Sequence, residues 1–315
     1  GFQIFGGVRA NVFVAAHDHL ANHAGQAHAL AVFGAVNAAH AISMQLANFC
    51  GNNDTAATAK HLNVFAAALA KHIDGFLPKL FGRLPRQPYT VLPIPAANAP
   101  GNTTAYYEPG SFAAGRPGIY RVNTTELDQR PLWELPALGV HEAMPGHHLQ
   151  IALQQELDIH PLRANGTFFT AFVEGWGLYS EYLGEEMGLY DTPEKMMGRL
   201  SCEMWRACRL VVDTGMHSKG WTKAQAIKFM TDNSALSAAN IEAEVNRYIS
   251  WPGQALGYKI GEIKLRELRA KATAALGPKF DLRRFHDAVL AQGAVPLDVL
   301  EQAIDRWISA EKARA

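Results

Sequence analysis

The apolar positions fall into three regimes along the chain. Over residues 1–72 they are mostly alanines of weak helical order, interleaved with Asn and His, which predicts Ala-rich helices. Phe76-Leu-Pro-Lys-Leu-Phe81 ends a helix, and Pro85, Pro88, Pro93, Pro95 and Pro100 then exclude helix and favour extended backbone. Within that stretch Tyr89-Thr-Val-Leu92 and Gly118-Ile-Tyr-Arg-Val-Asn123 carry β-branched and aromatic residues between breakers, so each predicts a strand. After Pro131 the pattern predicts helices over 132–155, 167–188, 193–218, 222–233, 237–249, 253–276 and 298–312, with turns at Gly and Pro. Asp281 is placed to cap a further helix over 282–291. With no internal repeat and no Ser/Gly-rich linker, the expectation is a mainly α fold with a small sheet near residues 89–123. Two regions are expected, a helical segment over 1–72 and a catalytic region over 73–315, joined in one continuous domain.

Composition narrows the function classes. A chain of 315 residues can bury a substantial core. Its 29 Lys and Arg balance 29 Asp and Glu, so electrostatics gives no reason to expect nucleic acid or an anionic membrane as partner. No run approaches the roughly 20 apolar residues of a membrane-spanning helix. The start, Gly1-Phe2-Gln3, carries no signal-peptide pattern and reads as a mature or truncated product, which leaves cytoplasmic and exported settings both open. Nothing in the pattern indicates an oligomeric state. Cys50, Cys202 and Cys208 form no C-x-x-C pair, so they read as reduced, buried thiols. Seven of the thirteen histidines, His17, His19, His23, His28, His40, His61 and His72, crowd the first segment. No acidic residue follows them at a catalytic spacing, and they read as structural or solvated.

The chemistry concentrates at His141-Glu142-Ala-Met-Pro-Gly-His147-His148. Two histidines and a carboxylate supply three zinc ligands and leave a fourth position for water. The usual form is H-E-x-x-H on one helix face with the Glu as base, and here Pro145-Gly146 is inserted into it. Six residues of regular helix would rotate the second imidazole by about 240° and move it about 9 Å along the axis, away from the first. Pro145 removes the hydrogen bond to the carbonyl of His141, so a distortion of the π-bulge kind is expected to return His147 to the His141 face. His148 keeps that face on a straight helix but lies about 10 Å along it. His147 is preferred as ligand, and the other histidine is expected to orient a carboxylate or touch substrate. A polar cluster among Leu135, Leu138, Val140, Leu149 and Ile151 is costly to bury unless it binds something. Glu174, 27 residues beyond His147 in Phe172-Val-Glu-Gly-Trp-Gly-Leu-Tyr-Ser-Glu181, is the expected third ligand. Glu181, seven further on, fits either a carboxylate that sets a histidine tautomer or an ordinary structural one.

His141–Gln150, Phe172–Glu181, Arg206–His217 and Glu244-Val-Asn-Arg-Tyr-Ile-Ser-Trp-Pro-Gly-Gln-Ala-Leu-Gly-Tyr-Lys259 together resemble the bacterial domain-of-unknown-function 885 family over roughly residues 70 to 310. That family in turn is similar to helical gluzincin peptidases, such as the thermostable carboxypeptidase and angiotensin-converting-enzyme families. The resemblance implies a multi-helical zincin-like metallopeptidase fold, with the small β-sheet beside the metal-binding helix. It also implies that the chain is the C-terminal portion of a longer protein.

The expected activity is hydrolysis of a peptide or small amide with one Zn2+ per chain. Glu142 is the expected general base, passing a water proton to the leaving amine. His217, Tyr248 and Tyr258 are candidate oxyanion donors, with Asp213 four residues before His217 placed to orient it. Arg247 and Lys259 are candidates for a substrate carboxylate, and Asn123 closes a strand that can pair with substrate backbone. Each of these also fits a structural ion pair or a packed ring. Two rivals remain: a metal hydrolase of a non-peptide amide or ester, and a non-catalytic metal-binding protein. An intact Glu142 argues against the second.

Overall fold

A computed structural model describes residues 55–127, 130–166 and 168–314. His17, His19, His23, His28, His40 and Cys50 lie outside them. Helix α1 (Thr55–Asp74) spans the boundary expected at residue 72. It buries Leu62, Ala66, Ala70 and Ile73, a stripe at helical spacing, against the sheet and the metal-motif helix. The short α2 (Leu77–Leu80) follows, with Pro78 in its first turn.

Three strands form the sheet, β1 (Tyr89–Pro93), β2 (Ala105–Glu108) and β3 (Gly118–Val122). Their order is β1-β3-β2; β3 runs parallel to β1 and antiparallel to β2. In β3 the buried residues alternate, Gly118, Tyr120 and Val122, and Tyr120 and Val122 pack on Leu135 and Ala143 below. Strand β2 was not expected: Ala-Tyr-Tyr-Glu has no β-branched residue and becomes a strand by pairing with β3. Because β3 is the central strand, Asn123 at its end has no free edge to offer. Its side-chain amide instead donates to the carbonyls of Ala99, Asn102 and Thr103, and its Oδ1 accepts from Thr125. Asn123 therefore ties down the loop before β2 and does not meet substrate backbone.

The helix expected over 132–155 is two helices. After a 3-10 turn (Leu132–Glu134), α3 (Leu135–Glu142) ends at the motif and α4 (His147–Gln155) begins on its far side. The backbone leaves helical geometry at Ala143 (φ −99°, ψ −112°) and again at Gly146 (φ −75°, ψ −125°). A π-bulge would have kept one continuous helix; here Pro145 stops the hydrogen-bond ladder outright. The short α5 (Pro161–Asn165) was not expected, while α6 (Thr170–Glu186), α7 (Pro193–Lys219), α8 (Lys223–Asn233) and α9 (Ala238–Ser250) match the helical pattern with shifted ends. A 3-10 turn (Gln254–Leu256) leads into α10 (Gly257–Leu276), followed by α11 (Leu282–Leu290) and α12 (Leu297–Ala313). Thr192, Thr222 and Ser237 cap α7, α8 and α9, and Asp281 caps α11 by accepting from Arg283 and Arg284. Among the described residues, no helix is long and apolar enough to cross a membrane.

Helices α6 and α10 form the centre of the helical layer. They approach closely because Gly175 faces Gly261: a Cβ on Gly261 would stand 1.8 Å from the carbonyl oxygen of Ala171. The core beside them holds Trp176, Tyr179, Phe172, Leu265 and Leu268. His286 of α11 sits in this core with its Nδ1 donating to the Leu80 carbonyl and its Nε2 accepting from Tyr179. Burial pushes its pKa down to about 3, against the weaker opposite pull of the Leu80 bond. The unfolded imidazole, at about 6.5, takes up its proton first as pH falls. The stability held by neutral His286 is therefore complete above about pH 6.5 and is lost progressively on acidification. The denaturation midpoint is expected to fall more steeply between roughly pH 6.5 and 4 in the parent than in His286→Phe; equal slopes would exclude this role for His286.

Candidate metal centre

The break between α3 and α4 puts His141 and Glu142 at one helix end and His147 at the start of the next. Gly146 permits the turn: a Cβ there would stand 1.9 Å from the carbonyl oxygen of His141 and 2.4 Å from that of Val140. Its own N–H donates to the Val140 carbonyl at 2.9 Å, and buried Trp176 donates from Nε1 to the Pro145 carbonyl at 2.8 Å. The turn is thus held from both sides. Gly146→Ala is expected to cost about 3 kcal/mol or more, since backbone oxygens cannot move aside as a side chain can. A urea midpoint equal to the parent's would show that the turn relaxes freely.

Helix α6 supplies the rest of the cluster from one face, Glu174, Gly177 and Glu181, at spacings of three and four. One ligand atom each from His141, His147 and Glu174 lies within 4.8 Å of the others. Glu174 Oε2 is 3.5 Å from His141 Nε2 and 3.2 Å from His147 Nε2. Ligands about 2.0–2.1 Å from a tetrahedral ion stand about 3.4 Å apart, so these separations suit a single ion. Glu174 Oε2 is buried with no hydrogen-bond partner among the described residues, which suits an atom able to take a cation. Gly177 makes room for the His141 ring: a Cβ there would come within 2.7 Å of its Cε1 and Nε2.

The surrounding groups orient the ligands. His141 Nδ1 bonds Glu181 Oε1 at 2.7 Å, and Glu181 is braced by Arg206 at 3.1 Å. Nε2 of His141 is thereby left for the cluster. Burial opposes charge on His141, but the Glu174 and Glu181 carboxylates beside it outweigh it and hold its pKa up at about 9. Glu174 is likewise penalised by burial, yet His147 and His141 hold its carboxyl well below the usual range. Both directions express the pull of buried carboxylates for a positive charge. Gln254, which the sequence did not single out, donates to the other Glu174 oxygen at 2.9 Å. Its signal was the four-residue spacing to Tyr258, which puts the two on one side of a helical turn. Glu181→Ala is expected to weaken metal affinity by about 10–100-fold, read by competition with a chelator; unchanged affinity would leave Glu181 with a packing role only.

His148 turns the other way. Its Nε2 donates to the Gln87 carbonyl at 3.0 Å, and its Nδ1 accepts from Tyr107 at 2.8 Å. Burial lowers its pKa to about 4, so it is a neutral tie between α4 and the sheet. It therefore lies outside the cluster.

Glu142 is buried, forms no hydrogen bond or ion pair with another described residue, and lines an open cleft of about 960 Å³ together with His147 and Glu174. Ala105, Tyr106 and Tyr107 of β2 line the same cleft, and β2 is an edge strand. So do Arg247 and Tyr258, whose ring stacks on His141 at 5.9 Å. The other expected site residues stand elsewhere. Tyr248 is buried, its hydroxyl accepting from Trp205 and Arg209. His217 donates to the Tyr248 carbonyl at 2.9 Å, and Asp213 accepts from the Gly253 N–H, so the two are not bonded to each other. Lys259 is buried between Glu203 and Glu262, away from the cleft.

The chain matches the family model described as "Bacterial protein of unknown function (DUF885)" over residues 15–304, which reaches further toward the N-terminus than the resemblance over roughly residues 70 to 310. No curated protein matches it. A solved structure described as "the putative lipoprotein from Colwellia psychrerythraea" is 40% identical with a TM-score of 0.76, over 80% of this chain and 43% of that one. Another, "a putative lipoprotein of unknown function from Shewanella oneidensis", is 22% identical with a TM-score of 0.59, over 88% and 55%, a likeness of fold alone. The chain spans about half the length of these two proteins.

Proposed function

The chain belongs to the bacterial DUF885 family, and we propose that it is a zinc-dependent hydrolase of peptide bonds with a zincin-like fold and Glu142 as general base. The observation that carries this reading is Glu142, a carboxylate with no partner among the described residues, beside a three-ligand cluster that lines an open cleft. A structural metal site is closed by a fourth protein ligand and has no use for an adjacent free base. His141, His147 and Glu174 would hold the ion. When bound, zinc supplies Lewis acidity toward a water and toward the scissile carbonyl.

The residues of the chain divide the remaining work. Glu142 accepts the proton of the attacking water and returns it to the leaving nitrogen. The Tyr258 hydroxyl accepts from Arg247 at 3.0 Å and from Gln254 at 3.3 Å, which uses both its lone pairs and leaves its own proton to donate. That proton is available to the oxyanion as it forms. The outer edge of β2, unpaired among the described residues and beside the cluster, favours a peptide over other amides, because its backbone groups can pair with an extended chain. The description of the 40% identical relative as a lipoprotein favours an exported setting.

Elemental analysis of gently purified protein is expected to give one zinc per chain. Incubation of the zinc-loaded protein with a mixed peptide library, followed by mass spectrometry, is expected to give new termini. A library left intact would remove the peptidase reading, and turnover of esters or non-peptide amides in its place would reassign the chemistry.

A further inference from the structure

Glu174 presents its two oxygens to different partners. Oε2 faces His147 Nε2 at 3.2 Å and His141 Nε2 at 3.5 Å, while Oε1 accepts from Gln254 Nε2 at 2.9 Å. Gln254 stands on the 3-10 turn between α9 and α10, and its backbone is anchored on either side. Gly253 before it has φ +83°, a left-handed conformation that suits glycine, and the Gly253 N–H donates to the Asp213 carboxylate of α7 at 3.1 Å. Ala255 after it is buried in the core shared by α7, α8 and α9. Support therefore runs from α7 through this turn to the metal-ligand carboxylate.

The orientation of the Gln254 amide is fixed by its neighbours. Its Oε1 accepts from Arg247 Nη2 at 3.0 Å, and a guanidinium has no acceptor to offer, whereas the Glu174 carboxylate has no donor. A flipped amide would lose both bonds. The position calls for a neutral group with a donor on one side and an acceptor on the other. A carboxylate there would repel Glu174, and a cation would pair with Glu174 in place of a metal ion. Gln254 thus keeps the Arg247 guanidinium one amide away from Glu174. It also holds Oε1 without drawing off the negative charge that attracts an ion.

A carboxylate held through one oxygen offers a metal the other. With one atom from each of three residues, the cluster suits a four-coordinate ion with a single open position, the arrangement zinc prefers. A carboxylate free to turn would bring both oxygens and suit ions that take more oxygen ligands, such as manganese. We infer that Gln254 is a positioning residue that restricts Glu174 to one ligand oxygen and so selects four-coordinate zinc over manganese. The inference rests on the metal-cluster part of the reading above and does not depend on which bond is hydrolysed.

Metal binding tests it without a substrate. Metal-free parent, Gln254→Met and Gln254→Ala are titrated with zinc and with manganese against a chromophoric chelator, and with cobalt while the visible spectrum is recorded. Methionine keeps the length of the side chain and removes its donor; alanine removes the side chain altogether. The parent is expected to prefer zinc and to give the intense visible bands of four-coordinate cobalt. Both variants are expected to bind zinc about tenfold or more weakly, to lose less affinity for manganese, and to give the weaker bands of five- or six-coordinate cobalt. Zinc affinity or cobalt bands like the parent's in either folded variant would overturn the inference and leave the metal cluster standing. Equal losses for zinc and manganese would overturn it too, and a lower melting temperature of the metal-free variants with unchanged cobalt bands would leave Gln254 a packing role only. A parent that takes up neither zinc nor cobalt would overturn the cluster and this inference together. Zinc selectivity that depends on Gln254 in a protein that cleaves no peptide would support the inference and remove the peptidase reading.

Discussion

Glu142→Gln is expected to lower turnover by about 10²–10⁴-fold while metal content and helix content stay at the parent's level. The amide is nearly isosteric with the carboxylate, so packing at the end of α3 is preserved. Because Glu142 forms no hydrogen bond or ion pair with another described residue, removing its charge strips no partner of a contact. What the variant loses is the capacity to accept a proton from water. A tyrosine or backbone group beside the cleft cannot replace it, because none is a base near neutral pH. Steady-state rates on a cleavable peptide, alongside zinc content and circular dichroism, check this directly. A variant that cleaves at the parent's rate would remove Glu142 from the mechanism; one that loses its zinc would show that the residue serves the cluster.

The largest expected effect on stability comes from the cluster itself. Zinc that binds the folded chain alone stabilises it by about 2.7 kcal/mol at 100 times its dissociation constant and about 4.1 kcal/mol at 1,000 times. For a chain of this size that is roughly 4–6 °C in melting temperature. His147→Ala is expected to abolish the rise on adding zinc, because it deletes one of three converging ligands. His148→Ala is expected to lower the melting temperature of the metal-free protein yet keep the full zinc response. It leaves the Tyr107 hydroxyl and the Gln87 carbonyl unpaired but removes nothing from the cluster. Scanning calorimetry of the parent and both variants, with and without zinc, separates these outcomes. A zinc response lost in His148→Ala and kept in His147→Ala would reverse the ligand assignment.

Much of the fold was legible because its signals are local. The helices expected over 193–218, 222–233 and 237–249, the cap at Asp281, and strands β1 and β3 each announce themselves within a few residues. Strand β2 does not, since Ala105–Glu108 is extended only because β3 offers it a ladder. Pro145 signalled that the helix must be disrupted at the motif, by the donor it lacks. Whether the disruption was a bulge or a clean break depended on what could hold the turn, and that holder is Trp176, on a different helix.

The candidate site divides along the same line. The residue types at 141, 142, 147 and 174 carry their chemistry wherever they stand, and that much the sequence determined by itself. Which partner each polar group takes was decided only by the tertiary structure. Asp213 and His217 share a helix face by spacing, yet one turns to the Gly253 N–H and the other to the Tyr248 carbonyl, because both backbone groups needed a partner there. Lys259 neighbours Tyr258 in the chain but points between Glu203 and Glu262, since successive residues on a helix diverge by about 100°. His147 and His148 are separated by the same rotation: one joins the candidate metal cluster and the other is locked to the sheet. Spacing along a helix fixes which side chains share a face, whereas the elements packed against that face determine what each of them meets.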